Sequence, residues 1–412
     1  MNGLKRLITR RNVLILLAGI FYLIAWNRDV NLLYGMFALV SATVCIAMIL
    51  PRFALNGIAV SRLLPAAAFE GEEIEVCVIM ANQGRAARFM VEVLDYIPAA
   101  APHEREPQVF AGRISGRMQR TFTYRIACFK RGFYTVGPLR LRSAYPLGVA
   151  SSEREGDSSQ HNLLVYPSMF EVTFFPLLAS GSLVMSGMES LARAGGNDDF
   201  FGTREYRQGD SLRHIHWPSS ARHDRLIVKE FEVCASTEMT IVLDLHREAN
   251  RGEERETTLE YAVRISASLA RYALERGHTV QLTGYGKLST IVPPDRGMHQ
   301  LSAILDALAR VSGDGPTPYH ETICRAAKFL KDGSTALLFF SDDMQFEDYL
   351  YAIRLLRAKR VRPVVIFFET AGFSGNTSPV WPADDVLRQE FLSRGAPVYS
   401  VVQGDDLSGV FV

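Results

Sequence analysis

Three short runs in this chain are almost wholly apolar: Met239-Thr-Ile-Val-Leu-Asp-Leu245, Thr335-Ala-Leu-Leu-Phe-Phe340 and Pro363-Val-Val-Ile-Phe-Phe368. A strand with one face in water alternates apolar and polar side chains, so a run without a polar face belongs to a strand covered on both sides. Helical periodicity stands between the runs, over Thr257–Arg276 with Gly277 as its stop and over Gln300–Val311. Thr279-Val-Gln-Leu-Thr-Gly284 reads as a further strand, and the chain closes with a helical segment Val386–Arg394 and a strand Pro397–Val402. Strands that alternate with helices predict an α/β fold over 199–412, with a mainly parallel, doubly wound sheet.

The region before it has a different pattern. Glu73-Ile-Glu-Val-Cys-Val-Ile-Met80 alternates strictly, and Asn82-Gln-Gly84 breaks it as a turn. Phe89–Leu94, Thr121–Ile126 and Leu139–Arg142 are further short strands, punctuated by Gly132, Gly137 and Pro138. This spacing predicts a small β-sandwich over 53–170. No charge cluster or ligand spacing is visible there, which leaves it a role in interaction or spacing. A Gly-, Ser-, Ala- and Met-rich stretch makes 171–198 a linker.

Residues 1–52 read as a membrane hairpin with spans at about 12–26 and 32–50. Leu32–Leu50 is an apolar run whose helix is about 28 Å long, close to the hydrocarbon thickness of a bilayer. Val13–Trp26 is shorter, and flanking side chains would snorkel to the interface. No small-x-small cleavage site follows Trp26, which argues against a removed signal peptide. Lys5, Arg6, Arg10 and Arg11 precede the first run, and Arg52 and Arg62 follow the second. That bias places both ends, and the bulk of the chain, in the cytoplasm. The five cysteines form no CxxC pair and read as reduced thiols.

A net charge of +1 gives no general attraction to nucleic acid. There is no Walker A loop and no Gly-x-Ser-x-Gly elbow. His246-Arg-Glu248 imitates the His-x-Glu of zinc deaminases but lacks the cysteine pair that would complete it. Open α/β sheets bind ligands outside the carboxyl ends of their strands. Asp244 and Asp342 with Asp343 stand at such ends, and Thr317 lies in a Gly-Pro-rich loop before a helix that begins near His320. These oxygens suit magnesium or a similar ion. An Asp after a strand equally caps the next helix.

One segment is densely polar and aromatic: Phe200-Phe-Gly-Thr-Arg-Glu-Tyr-Arg-Gln-Gly-Asp-Ser-Leu-Arg-His-Ile-His-Trp-Pro-Ser-Ser-Ala-Arg222. Arginine forks recognise carboxylate or phosphate, so Arg204, Arg207, Arg213 and Arg222 could form a docking surface. Opposite charges are interleaved, however. This favours an internal network with Glu205, Asp210 and Glu232, packed by Tyr206 and Trp217.

This segment, continued by Leu226-Ile-Val-Lys-Glu-Phe-Glu232, resembles the signature of the domain-of-unknown-function 58 family. Arg131-Gly-Phe-Tyr134, Tyr145-Pro-Leu-Gly148 and the overall layout resemble it too. The resemblance implies a von Willebrand factor A-like α/β domain. It also implies a two-pass protein of the bacterial inner membrane, associated with a MoxR-type AAA+ ATPase in assembly or maturation of membrane complexes. That fold often carries a metal-ion-dependent adhesion site of the form Asp-x-Ser-x-Ser, with a Thr and an Asp from later loops. Asp244, Thr317 and Asp342 match three positions, while His246 and Glu248 replace the serines. The expectation is a degenerate site on a cytoplasm-facing interaction protein, with magnesium as the possible ion. A membrane-associated hydrolase or metalloenzyme on the same carboxylate face is the alternative.

Overall fold

The computed structural model describes residues 10–28, 30–156, 160–175, 182–184, 199–207, 210, 212–234, 237–341, 346–374, 384–393 and 395–411. The chain divides into two compact units, Met1–Tyr166 and Pro167–Val412. Most of the expected linker, and Asp342 with Asp343, lie outside the described residues.

The first unit opens with helices Arg10–Arg28 and Asn31–Leu55, which pack together with the Tyr22 and Phe37 rings 5.1 Å apart. Of the two, only Asn31–Leu55 is long and apolar enough to cross a membrane. Arg10, Arg11 and Asn12 at one end of the first helix, and Asn27 and Arg28 at the other, leave an apolar stretch of only about 21 Å. The expected pair of spans is thus corrected to one candidate among the described residues.

A β-sandwich comes next. One layer has the order β1 (Ile58–Leu63), β3 (Glu73–Asn82), β6 (Gln119–Ala127). Against it lie β5 (Gln108–Ile114), β4 (Arg88–Leu94), β8 (Arg140–Ser143) and β9 (Ser152–Glu155) in that order, and β2 (Ala67–Phe69), β10 (His161–Tyr166) and β7 (Gly132–Val136) in theirs. The alternation along β3 does what its pattern requires. Val78 and Met80 meet Val91, Val93 and Leu141 in one core, and Ile74 and Val76 meet Ile97, Leu163 and Val165 in another.

Contrary to the sequence reading, this unit does contain a charge cluster, and it is buried. Arg62, 1% exposed, forms an ion pair with Asp95 and donates to the Val136 carbonyl at 2.8 Å. Asp95 also accepts from the Tyr124 hydroxyl at 2.7 Å and the Tyr96 amide at 2.7 Å. The cluster ties β1, β6 and β7 to the residue just beyond β4.

In the second unit, β11 (Ser182–Val184) and β12 (Asp199–Glu205) flank β13 (Ile227–Cys234). The main sheet contains β14 (Glu238–Leu243), β17 (Thr279–Tyr285), β18 (Ser289–Asp295), β19 (Thr335–Ser341), β20 (Arg362–Phe368) and β21 (Val398–Val401); its order is β18-β17-β14-β19-β20-β21. A two-stranded ribbon, β15 (Gly252–Glu253) with β16 (Glu256–Thr257), leads into the helix Thr258–Glu275. All neighbours in the main sheet are parallel except β17 and β18.

The apolar runs bury both faces of the sheet. Val242, Leu338, Phe340, Val365 and Phe367 face a core completed by helices Tyr319–Ala326, Phe346–Ala358 and Asp384–Ser393. Helix Thr258–Glu275 packs on β14 and β17, starts under a Thr257 cap to the Glu260 amide at 3.2 Å, and stops before Gly277 at φ +78°. Its other side is covered by residues near Phe170 and Phe175, whose amides donate to the Ser268 and Tyr272 hydroxyls. That explains a helix buried almost all round.

Candidate functional site

The chain leaves β14 to build β17 on one side, then returns to build β19 on the other, so the strand order reverses between β14 and β19. Such a switch point leaves a crevice at the carboxyl ends, because the connections on either side run to opposite faces. Here a side chain holds the crevice open. Pairing of β14 with β19 ends at Val242 and Leu338. Beyond it, the Tyr319 hydroxyl donates to the Val242 carbonyl at 2.6 Å and accepts from the Phe339 amide at 2.9 Å. The phenol takes the place of the next ladder bond. Burial keeps it neutral, its pKa well above the ordinary value.

Tyr349 secures the same strand end, its hydroxyl bonded to the amide and carbonyl of Ser341, each at 3.2 Å. Its ring stacks on Phe340 at 3.8 Å. Sequence reasoning missed both tyrosines. The available signal was an aromatic in the first turn of each of two helices, facing the apolar run at 336–340.

Asp244 follows β14 directly. It is half-buried, and its carboxylate accepts from the His246 amide at 2.9 Å in a local turn; it does not cap the next helix, which starts under Thr257. Burial pushes its pKa up to about 7, with the His246 amide acting in the opposite direction. Beside it is a cavity bounded in part by Asn250, Thr258, Phe339, Ser341 and Phe368. The centre of a water-sized molecule has about 20 Å³ there, room for about one water. Among the described residues the buried Ser341 hydroxyl has no hydrogen-bond partner.

The loop carrying Thr317 is tied beside Asp244. Gly315 donates to the Leu245 carbonyl at 2.8 Å and accepts from the Arg247 amide at 3.0 Å, bridging His246. A side chain at 315 would meet the Tyr285 carbonyl at 2.6 Å and the Leu245 carbonyl at 2.9 Å, so three loops converge on a position that only glycine fits. Thr317 is half-buried two residues further on.

Asp342 is outside the described residues. His246 is half-buried and Glu248 exposed. Among the described residues no three His, Cys, Asp or Glu side chains gather as a metal-holding group. Asp244 already commits an oxygen to an amide, and positions 246 and 248 offer imidazole and carboxylate where hydroxyls would stand. The described residues therefore do not make the oxygen shell magnesium prefers, and no step is assigned to a metal.

The polar segment forms an excursion from a hairpin. Strands β12 and β13 pair down to Glu205 and Ile227, and between them run a 3₁₀ turn Leu212–His214 and a helix Trp217–His223. The neck is closed by Tyr206 N–H to the Leu226 carbonyl at 2.8 Å and His216 N–H to the Ile227 carbonyl at 2.7 Å. The Ser220 hydroxyl accepts from the Ile227 amide at 2.9 Å. Within it Arg204 grips Asp210 with two bonds, 2.6 and 2.8 Å, and the Arg207 amide adds a third at 2.8 Å. The Arg204 bonds, then the Arg207 amide, hold the Asp210 carboxyl down to about 2.

The expected network is smaller than this sequence suggested. Glu205 pairs with Arg225, while Arg207, Arg213 and Arg222 are exposed. Tyr206 is half-buried, and the Glu232 side chain is outside those described. Trp217 does not supply packing, being 64% exposed, because it opens a short helix whose buried contact is Ser220.

Fold and site together define an α/β unit with a switch-point crevice, preceded in the chain by a signature hairpin. Residues 202–366 match the profile of a family described as "Protein of unknown function DUF58", which supports assigning this segment to that family. A relative described as "Uncharacterized protein YeaD" from Bacillus subtilis (strain 168) is 28% identical over 115 residues, spanning 28% of this chain and 27% of that protein. Among solved structures, a CARDB domain from Pyrococcus furiosus superposes with TM-score 0.18 at 11% identity, covering 26% of this chain and 94% of that one. The sporulation control protein Spo0M from Bacillus subtilis gives 0.17 at 15%, covering 27% and 50%. At such TM-scores these likenesses carry no argument.

Proposed function

We propose that this is a membrane-anchored recognition and assembly protein. In this reading the carboxyl edge of its von Willebrand A-like sheet contacts protein partners, among them a MoxR-type AAA+ ATPase and other membrane proteins. The observation that carries the proposal is the switch-point crevice itself. It lies where open α/β sheets bind, yet its cavity has room for about one water. Contact there is made by another macromolecule's surface rather than by an engulfed substrate. Asp244 at the end of the first central strand, with the Thr317 loop bonded alongside, supports the von Willebrand A-like reading. The helix Asn31–Leu55 supports a single-span anchor, and Arg52 at its C-terminal end favours the cytoplasmic side for the sandwich and the α/β unit.

The test is co-purification of the tagged full chain from native membranes in mild detergent, as wild type and as Asp244→Lys. Recovery of an AAA+ ATPase with the wild type and its loss with the variant is the expected result. Equal recovery with both would remove the edge from the interface, and recovery of membrane proteins without any ATPase would remove the ATPase from the proposal.

A further inference from the structure

The helix Asn31–Leu55 does not end in a linker. Its last residues, Ala54 and Leu55, are buried, and Leu55 belongs to the sandwich core with Ile58, Val78 and Val91. Arg88 donates to the Asn56 carbonyl at 3.0 Å, and the Gln83 amide to the Gly57 carbonyl at 2.8 Å. The turn between β3 and β4 is therefore fastened to the helix end.

The turn between β5 and β6 is fastened to the same place. Asn82, 2% exposed, donates to the carbonyls of Ala86, Ile114 and Ser115 at 2.8, 3.1 and 3.2 Å and accepts from the Gly84 amide at 3.0 Å. The Arg117 amide reaches the Gly84 carbonyl at 2.9 Å. The two turns touch so closely that a side chain at Gly116 would lie 1.9 Å from the Arg85 carbonyl.

This end of the sandwich, turns and adjoining helix and strand ends together, carries one sign of charge. Arg52, Arg85, Arg113, Arg117 and Arg120 are exposed, and none forms an ion pair among the described residues. No Asp or Glu occurs in 30–69, 76–91 or 107–152. The carboxylates nearest along the strands, Glu92 and Glu153, lie within 4.0 and 3.8 Å of Arg142. Charges mix further along, at Arg142 and at Arg125 with Glu75, and at the other end of β3, 10 residues or about 33 Å away, around Glu72, Glu73 and Lys130. Exposed apolar side chains share the basic end: Phe53 at 59%, Met118 at 61% and Leu147 at 51%.

We infer that this end of the sandwich is a lipid-facing surface that lies on anionic headgroups of the membrane its own helix enters. The arginines meet headgroup phosphates, and Phe53, Met118 and Leu147 reach the interfacial layer, as amphipathic side chains do at such boundaries. The inference rests on reading Asn31–Leu55 as a span, since that helix delivers this end to the bilayer surface. Charge complementarity and continuity with the span select anionic lipid over a protein partner.

The test uses the full chain. Flotation with vesicles of phosphatidylcholine alone checks the anchor. Hydrogen exchange of the turns 83–88 and 115–120 is then compared in phosphatidylcholine nanodiscs and in nanodiscs with a third of phosphatidylglycerol. The expected result is slower exchange of both turns in the anionic membrane, reversed by 0.5 M salt and by Arg85→Glu/Arg117→Glu/Arg120→Glu. Each arginine near an anionic surface shifts the equilibrium by about fivefold, so the triple variant shifts it by about a hundredfold. Flotation with equal exchange in the two membranes would overturn the lipid-facing surface alone. Failure to float with neutral vesicles would overturn the anchor and this surface with it. The salt arm needs no variant, so misfolding of the triple substitution cannot mask the outcome.

Discussion

Asp244 has a carboxyl that ionises near neutrality, at about 7, because burial disfavours its charge. An unfolded Asp ionises at about 3.9. The folded state therefore holds the proton more tightly. The stability this confers is full below about pH 4 and falls away as pH rises towards about 7, above which the ionised group is a constant cost. Asp244→Asn keeps an oxygen for the His246 amide and removes the charge. It is expected to raise unfolding stability at pH 8 by roughly 1–3 kcal/mol, a figure reduced for partial access to water, and to change nothing below about pH 4. Urea unfolding of both proteins at the two pH values measures this. A gain of the same size at low pH would mean that packing, not ionisation, is responsible.

Among elements, the wedge between β14 and β19 is the feature on which the crevice depends. Tyr319→Phe keeps the ring and leaves the Val242 carbonyl and Phe339 amide without their partner. The expected cost is about 1–3 kcal/mol, with faster exchange of the Phe339 amide before other β19 amides. Uniform exchange along β19 would show that the hydroxyl is dispensable. The strands themselves were legible because apolar runs and helical periodicity report burial along one stretch of chain. Tyr319 was not, since its bonds reach 77 residues back to Val242 and 20 forward to Phe339. The signature segment misled for a related reason. Interleaved charges suggested wide pairing, but among the described residues the pairs are Arg204 with Asp210 and the exposed Glu205 with Arg225, and Trp217 points its bulk to solvent.

At the scale of the whole molecule, two units with their own cores should lose structure separately when only one is damaged. Arg62→Met strands the buried Asp95 charge and is expected to destabilise the first unit by about 3–5 kcal/mol. Peptides from β1, β6 and β10 should then be cut faster by protease while those from β14 and β19 keep their wild-type rates. Acceleration in both sets would show that the units are coupled. The sequence hid this pair because Arg62 and Asp95 are 33 residues apart, and a single charge at an inward position, after Ile58 and Val60 or after Val91 and Val93, does not name its partner. The first helix was overread in the opposite direction: an apolar centre was visible, but its polar ends leave it short of a bilayer.

The seam at Ala54 and Leu55 has a mechanical consequence. With no compliant joint between helix and sandwich, the two turn as one lever when Asn31–Leu55 sits in a bilayer. A span accommodates changes in bilayer thickness by tilting. Thinning the membrane would therefore rotate the whole sandwich relative to the membrane plane, lifting one rim of its basic end and pressing down the other. Lipid thickness would in this way set the attitude of the domain.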